Sequence, residues 1–302
     1  MAAPDLFNCI IDYLMTRVNE RVPGTFFGDY RLNDLEYADD AALLAESLED
    51  LQRALEVFSE EAALLGLKVN WDKTELMLIG DEPDPQPLMF ENLEVKFVPK
   101  FKYLGSILSK TGDLRPEIDR RRALASSTMK SLSRPLWKKN NISRRTKLRI
   151  YNASVVSILL YGSETWPITK TLTARINGFD SRSLRRIEGI HWTDLVTNQE
   201  VRRRTRQPPA SSLIAERRVR WFGHVMRLHE DHPTRQILQF QPAAAGWRRP
   251  RGAPRTRWLD VVARDLDMCG VTLQQAQHLV QDRTAWRRLV ALVGSTHTVQ
   301  ET

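Results

Sequence analysis

The sequence predicts an α+β chain: a first hundred residues mixing short strands with amphipathic helices, then a helical, basic remainder. Three observations carry this. Apolar residues recur at helical spacing over 6–18 and 48–65, and period-2 segments flank turn residues near 37–40 and across 93–108. After Gly112 helical spacing replaces that alternation, and basic residues crowd the polar faces. Charge divides at the same place: residues 1–100 hold 8 basic and 21 acidic side chains, residues 101–302 hold 37 and 16, and the whole chain nets only +8. From 171 onward all 22 basic residues are Arg. A half-acidic, half-basic chain reads as separate modules, and the basic one suits a polyanion. We divide it at 1–100, 101–170 and 171–302.

The elements follow in order. Leu6, Ile10, Leu14 and Val18, thickened by Phe7, Ile11 and Met15, predict a helix over 4–20. Leu32, Leu35 and Tyr37 precede Ala41 to Ala45, which predicts two strands joined by a tight turn at Ala38–Asp39–Asp40. Ser47 with Asp50 forms an acidic capping box for a helix with Leu48, Leu51, Leu55, Phe58, Ala62 and Leu65 on one face, and Gly66 ends it. LKVNWDKTELMLIG reads as strand, loop, strand; DEPDPQP is a breaker-rich loop. LEVKFVPKFKYLGSIL reads as a hairpin around Val95, Phe97, Phe101 and Tyr103. Asp113 then caps a helix with Ile118, Ala125, Met129, Leu132 and Leu136 inside. Ser143 caps another, with Leu148, Tyr151, Val155 and Ile158 inside and Arg144, Arg145, Lys147 and Arg149 outside. A third spans TLTARINGFDSRSLRRIEGI, weakened near Gly178. Thr197 with Glu200 opens a further helix, one after Pro208–Pro209 buries Ile214, Trp221 and Val225, and Thr272 with Gln275 opens the last.

Composition excludes several classes. No run of 18 apolar residues exists, so a membrane-spanning helix is excluded, and the N-terminus has no secretory pattern. Two distant cysteines, Cys9 and Cys269, form neither a disulfide framework nor a cysteine zinc site, which fits an intracellular (nuclear or cytoplasmic) compartment. His224, His229 and His232 cluster in sequence, but the five-residue step is not a helical ligand pair and no metal is assigned there.

Tyr37-Ala38-Asp39-Asp40 carries the chemistry. Adjacent carboxylates at a turn repel, and a divalent cation neutralises them. Mg²⁺ prefers a few carboxylates plus substrate phosphates, and a pair of such ions can activate a hydroxyl and stabilise a leaving pyrophosphate. A bare Asp-Asp is more often a solvated turn; the apolar strands and capped helix around this one favour polymerase-type chemistry.

YADDAALLAES resembles the catalytic hairpin of reverse transcriptases of non-LTR (LINE-type) retrotransposons. PDLFNCIIDYLMTRV resembles the helix after that family's template-binding loop, GLKVNWDKTELM the next palm motif, FKYLGSILS the primer-grip hairpin and LYGSETWPIT a late thumb segment. RRVRWFGHVMRL, GAPRTRWLDVVARDL and DRTAWRRLV resemble the C-terminal extension of such elements. The resemblance covers nearly the whole chain. It implies a partial polymerase palm at 1–100, primer grip and thumb at 101–170, and a basic helical C-terminal region at 171–302. It implies Asp39 and Asp40 as ligands of Mg²⁺ (or Mn²⁺), Tyr37 near the primer terminus, Lys73 beside the incoming phosphates, and Leu104 and Gly105 shaping the primer grip. The partners implied are an RNA template, a DNA primer and deoxynucleoside triphosphates.

One departure bears on activity. The family's palm has a further Asp on an upstream strand and a Gly-rich loop before the PDLFN helix; Asp5, Asp12, Asp29 and Asp34 fit neither position. The expectation is a truncated reading frame, inactive alone unless a partner chain supplies the missing fingers. The alternative is a non-catalytic nucleic-acid-binding module. Arg121, Arg122, Arg144, Arg145 and Lys147 would line a duplex through its phosphates. Arg248, Arg249 and Arg251 beside Trp247 suit a single strand, Arg pairing with phosphate and indole stacking on a base.

Overall fold

The computed structural model describes residues 3–80, 82–90, 92–240 and 256–300. They fall into two compact units, one drawn from Met1–Phe101 with His229–Gly252, the other from Lys102–Leu228 with Ala253–Thr302. The architecture is α+β, with every strand among the described residues in a two-stranded pair.

In the first unit helix α1 (Ala3–Arg21) packs on α2 (Leu48–Leu64). Ile11, Leu14 and Met15 of α1 meet Ala62 of α2, and Val18 with Val22 meets Ala54 and Val57. Glu61, 5% exposed, lies at this seam and takes the Arg21 guanidinium at 2.9 Å and the Arg17 guanidinium at 3.6 Å. The cap on α2 is as predicted, the Ser47 hydroxyl accepting the Asp50 amide at 3.0 Å. Its buried face is as predicted in part: Leu55 and Ala62 are buried and Leu51 and Phe58 pack against the core, whereas Leu48 and Leu65 are exposed and Ala54, Val57 and Glu61 also turn inward. Leu6 is likewise exposed, while Phe7 and Ile10 beside it are partly buried against this core.

Between and after these helices lie β1 (Thr25–Phe27) with β2 (Tyr30–Leu32), β3 (Asp34–Tyr37) with β4 (Asp40–Leu43), and β5 (Leu88–Phe90) with β6 (Leu93–Val95), all antiparallel. Two expectations are corrected here. LKVNWDKTELM forms no strand pair; Trp71–Lys73 is a 3₁₀ turn and Leu76 makes an isolated bridge to Phe97. The Trp71 ring stacks on Phe90 with centroids 4.6 Å apart, so a buried indole rather than a ladder fixes this stretch. Val95 belongs to β6, which pairs backward with β5, while β7 (Lys100–Tyr103) pairs forward with β8 (Ser106–Ser109). Pro99 separates them, since it lacks the amide a continuing ladder needs. Helix α9 (Pro233–Gln239) rests on β2, with Phe240 edge-on to Phe27 at 5.7 Å.

The second unit is helical beyond β8. Helix α3 (Arg115–Ser131) is followed by α4 (Arg144–Ile150), which widens to a π turn over Tyr151–Val156 before α5 (Ser157–Leu159). Then come α6 (Lys170–Glu188), α7 (Asn198–Thr205) and α8 (Ala210–Val225). Helices α10 (Trp258–Asp267), α11 (Leu273–Leu279) and α12 (Arg283–Gln300) close the unit. One core, including Ile118, Met129, Tyr151, Leu160, Ile176 and Ile214, runs through α3 to α8. Side-chain caps from Ser143, Thr197 and Thr272 stand where the sequence placed them. Helix α6 runs unbroken through Gly178. Trp221 is corrected: it is 36% exposed and stacks on His224, while Phe222 and Val225 take the inward positions. Among the described residues no helix is long and apolar enough to cross a membrane.

Candidate functional site

The acidic hairpin belongs to the first unit. Tyr37 pairs with Asp40 across β3 and β4, which leaves Ala38 and Asp39 as a two-residue loop. Ala38 holds φ at 54°, left-handed backbone that Gly adopts more easily. Asp39, Asp40 and Tyr37 are exposed, Tyr37 by 64%. Two carboxylates therefore project from one turn into solvent, where hard cations bind oxygen donors without first stripping an apolar shell. No group of three or more His, Cys, Asp or Glu able to hold a metal occurs among the described residues. Lys73, in the 3₁₀ turn after buried Trp71, is exposed, and no hydrogen bond or ion pair joins it to either carboxylate.

The strand behind the turn holds a further acidic feature. Asp34 and Glu36 share one face of β3 and a hydrogen bond. Partial burial, then that hydrogen bond, then the charges of Asp34 and Asp12 push the Glu36 carboxyl up to about 7. Asn19 of α1 donates to Asp34 at 3.3 Å.

The second sequence-predicted hairpin is built differently. Leu104 and Gly105 connect β7 to β8 with φ of 45° and 80°, positive at both positions as a type I′ turn requires. Their carbonyls are engaged from the helical side. The Tyr161 hydroxyl donates to the Leu104 carbonyl at 3.0 Å, and Arg120 and Arg121 donate to the Gly105 carbonyl at 2.9 and 2.5 Å. Glu117, 1% exposed, accepts the Ile107 amide at 2.8 Å and the Arg121 guanidinium at 2.5 Å. Arg121 also lies over the Tyr161 ring, 4.3 Å from its centre. A Cβ on Gly105 would stand 3.6 Å from that ring, in ordinary contact, so positive φ rather than space calls for Gly there.

The basic residues separate into two kinds. Arg121 and Lys147 are buried, contrary to their expected place on outer faces: Arg121 is 6% exposed and committed to Glu117 and Gly105, and the Lys147 ammonium donates to the Trp137 carbonyl at 2.8 Å. A long side chain near a helix end can satisfy a carbonyl and still bury its methylenes. Arg145 is exposed and Arg144 half-exposed, the latter paired with Glu188 at 2.8 Å; Arg122 pairs with Asp119 at 3.0 Å. Trp247, Arg248, Arg249 and Arg251 lie outside the described residues. Sequence reasoning missed Glu117, Arg120 and Tyr161. The i,i+4 spacing of Glu117 and Arg121 was visible, but the partner of Tyr161 lies 57 positions away.

Comparison with known proteins bears on the first of these hairpins most directly. Residues 1–108 match the family Reverse transcriptase (RNA-dependent DNA polymerase), a span that contains the first hairpin and the turn of the second. The chain is 24% identical over 270 residues to an uncharacterized transposon-derived protein of Caenorhabditis elegans, covering 86% of this chain and 95% of that one. It is 24% identical over 164 residues to the RNA-directed DNA polymerase from mobile element jockey of Drosophila melanogaster, covering 52% of this chain and 18% of the polymerase. With the Pol polyprotein of the type-2 retrotransposable element R2DM of the same fly it shares 28% over 123 residues, 37% of this chain and 12% of the relative. Residues 1–108 are thus similar to a reverse-transcriptase segment. The named relatives include polymerases of non-LTR retrotransposons, and the chain is similar to them over part of its length. It spans nearly all of the nematode relative but under a fifth of the fly polymerase.

Proposed function

We propose that the Tyr37–Asp40 hairpin is the metal-binding turn of a polymerase palm acting in RNA-directed DNA synthesis. The observation that carries this is the pair of exposed carboxylates at a two-residue loop within the matched span. The donor set fits Mg²⁺ or Mn²⁺: it is all oxygen, anionic, and open on one side to substrate phosphates. Asp39 and Asp40 would hold the ion. A divalent cation there supplies Lewis-acid activation of the primer hydroxyl and neutralises charge on the leaving pyrophosphate. Tyr37, across from Asp40, offers its ring to the primer end, and Lys73 offers an ammonium to the triphosphate. The Leu104–Gly105 turn, held from behind through both carbonyls, presents a rigid edge to the primer strand. RNA template, DNA primer and deoxynucleoside triphosphates are the partners this reading requires. Arg122, Arg144 and Arg145 are the phosphate contacts it retains on the helices; Arg121 and Lys147 act by positioning.

Two carboxylates bind a cation without completing a two-ion site, so this chain by itself is expected to bind Mn²⁺ and not to extend a primer. Mn²⁺ binding followed by paramagnetic resonance should weaken by about tenfold in Asp39→Asn, which is ~1.4 kcal/mol. Unchanged binding overturns the metal role. Mg²⁺-dependent primer extension by the purified chain, lost in Asp39→Asn, would support the palm assignment and overturn the inactivity.

A further inference from the structure

The second unit contains a cleft of about 640 Å³ between α6, α7, α8 and α10. Its lining combines the accessible Ala174 and Met268 and the buried Ile168, Ile214 and Val261 with four cationic side chains, Lys170, Arg202, Arg218 and Arg264, and one carboxylate, Asp265. The deep members are fixed. Arg218, 2% exposed, holds Asp265 at 2.6 Å and donates to the Trp166 carbonyl at 3.2 Å. Arg202 is held by Asp180 at 2.5 Å and by the Pro208 carbonyl at 2.9 Å. Lys170 and Arg264, by contrast, are exposed and form no ion pair among the described residues. The cleft is therefore a prebuilt apolar slot with surplus positive charge, two cations of which remain available to a ligand.

Its volume is that of a small-molecule site. The ligand that fits is flat or apolar in its body and anionic at one end. The chain's own Arg-rich stretch 247–257 carries the same charge as the cleft and is an unsuitable occupant. We infer that this cleft binds a nucleoside phosphate, with the base against the accessible apolar lining at Ala174 and Met268 and the phosphate on Lys170 and Arg264. Stacking and apolar contact tolerate every base, and the two cations neutralise phosphate without reading sequence. The inference is independent of the acidic hairpin and of polymerisation. The nucleotide could arrive free or as one unit of a single strand.

The full chain is tested with a fluorescein-labelled 12-nucleotide single strand, with AMP, and with inorganic phosphate. Lys170→Glu combined with Arg264→Glu reverses the open charges, and Ala174→Trp, at an exposed position of the lining, plugs the slot. Both should bind the strand at least about tenfold more weakly while melting as the parent does. A 5-iodouridine strand should crosslink within 168–178 or 261–268. Displacement by AMP identifies a free-nucleotide site; displacement only by unlabelled strand identifies a strand site; either supports the inference. Loss of less than tenfold in the folded charge variant, crosslinks confined elsewhere, or equal displacement by phosphate or polyglutamate overturns it. If the Trp variant fails to fold, the charge variant decides.

Discussion

Leu104 sits at φ 45°, a conformation unfavourable for a side chain branched at Cγ, and its carbonyl is secured by a tyrosine from far along the chain. Strain of this kind persists only where surroundings over-determine it, and here Glu117, Arg120, Arg121 and Tyr161 supply that surplus. Tyr161→Phe should therefore lower stability by about 1 kcal/mol, the net value of one hydrogen bond. Amide exchange measured by mass spectrometry should quicken across residues 102–109 and stay unchanged in α12. A variant whose exchange there matches the parent would show that the hydroxyl does not hold the turn. The same lesson applies to Arg121 and Lys147. Their type and helical position marked them as surface charges; the carbonyls of Gly105 and Trp137, from outside their own helices, made them interior ones.

Among elements, what local chemistry governs was legible. Ser47 caps α2 and Thr272 caps α11 through bonds that close within three residues, so no tertiary knowledge is needed to foresee them. The acidic turn expected at 38–40 was legible for the same reason, although Asp40 pairs with Tyr37 and the loop is Ala38 and Asp39 alone. Which face of a helix is buried was not, because partner placement decides it: Trp221 has the size of a core residue, yet α12 approaches through the Gly223 side of α8. A Cβ built on Gly223 would stand 2.0 Å from the Trp286 indole nitrogen, and Trp286 is itself buried. Helix propensity alone would make Gly223→Ala stabilising by up to ~1 kcal/mol. Overpacking against the indole should outweigh it, for a net loss of ~1–2 kcal/mol. Thermal denaturation of that variant settles the sign, and a raised melting temperature would show that α12 can retreat.

For the molecule as a whole, two separately cored units predict two pH responses of opposite sign. In the first unit Glu36 titrates at about 7 when folded, against an ordinary value near 4.5. The folded state thus holds a proton the unfolded state has released, and the stabilisation present below pH 4.5 is lost as pH rises through 7. In the second unit hydrogen bonds from Arg203 and Arg204 hold Glu200 down at about 2, so its contribution is present above pH 4.5 and fades as pH falls toward 2. Glu200 is half-buried on α7, but its partner Arg203 is exposed and the pair is of the weak surface kind. Residue-resolved amide exchange at pH 5 and pH 7.5 should show α1 and α2 better protected at the lower pH. Glu36→Gln should abolish that difference. A difference that survives the substitution would place its origin elsewhere.

Sequence alone determined the α+β class, the Ser47, Ser143, Thr197 and Thr272 caps (though not the one expected from Asp113), the acidic turn and the reverse-transcriptase resemblance, because each rests on interactions spanning a few residues or on motifs read in order. Tertiary structure alone decided the rest. It sent β6 backward to β5, buried Arg121 and Lys147, exposed Trp221, recruited Tyr161 to the 104–105 turn, and opened a cationic cleft among four helices. Apart from the short β5–β6 hairpin, those outcomes depend on groups ten or more residues apart meeting in space. Composition fixes how much charge and apolar surface the chain carries, and packing fixes which of it stays in water.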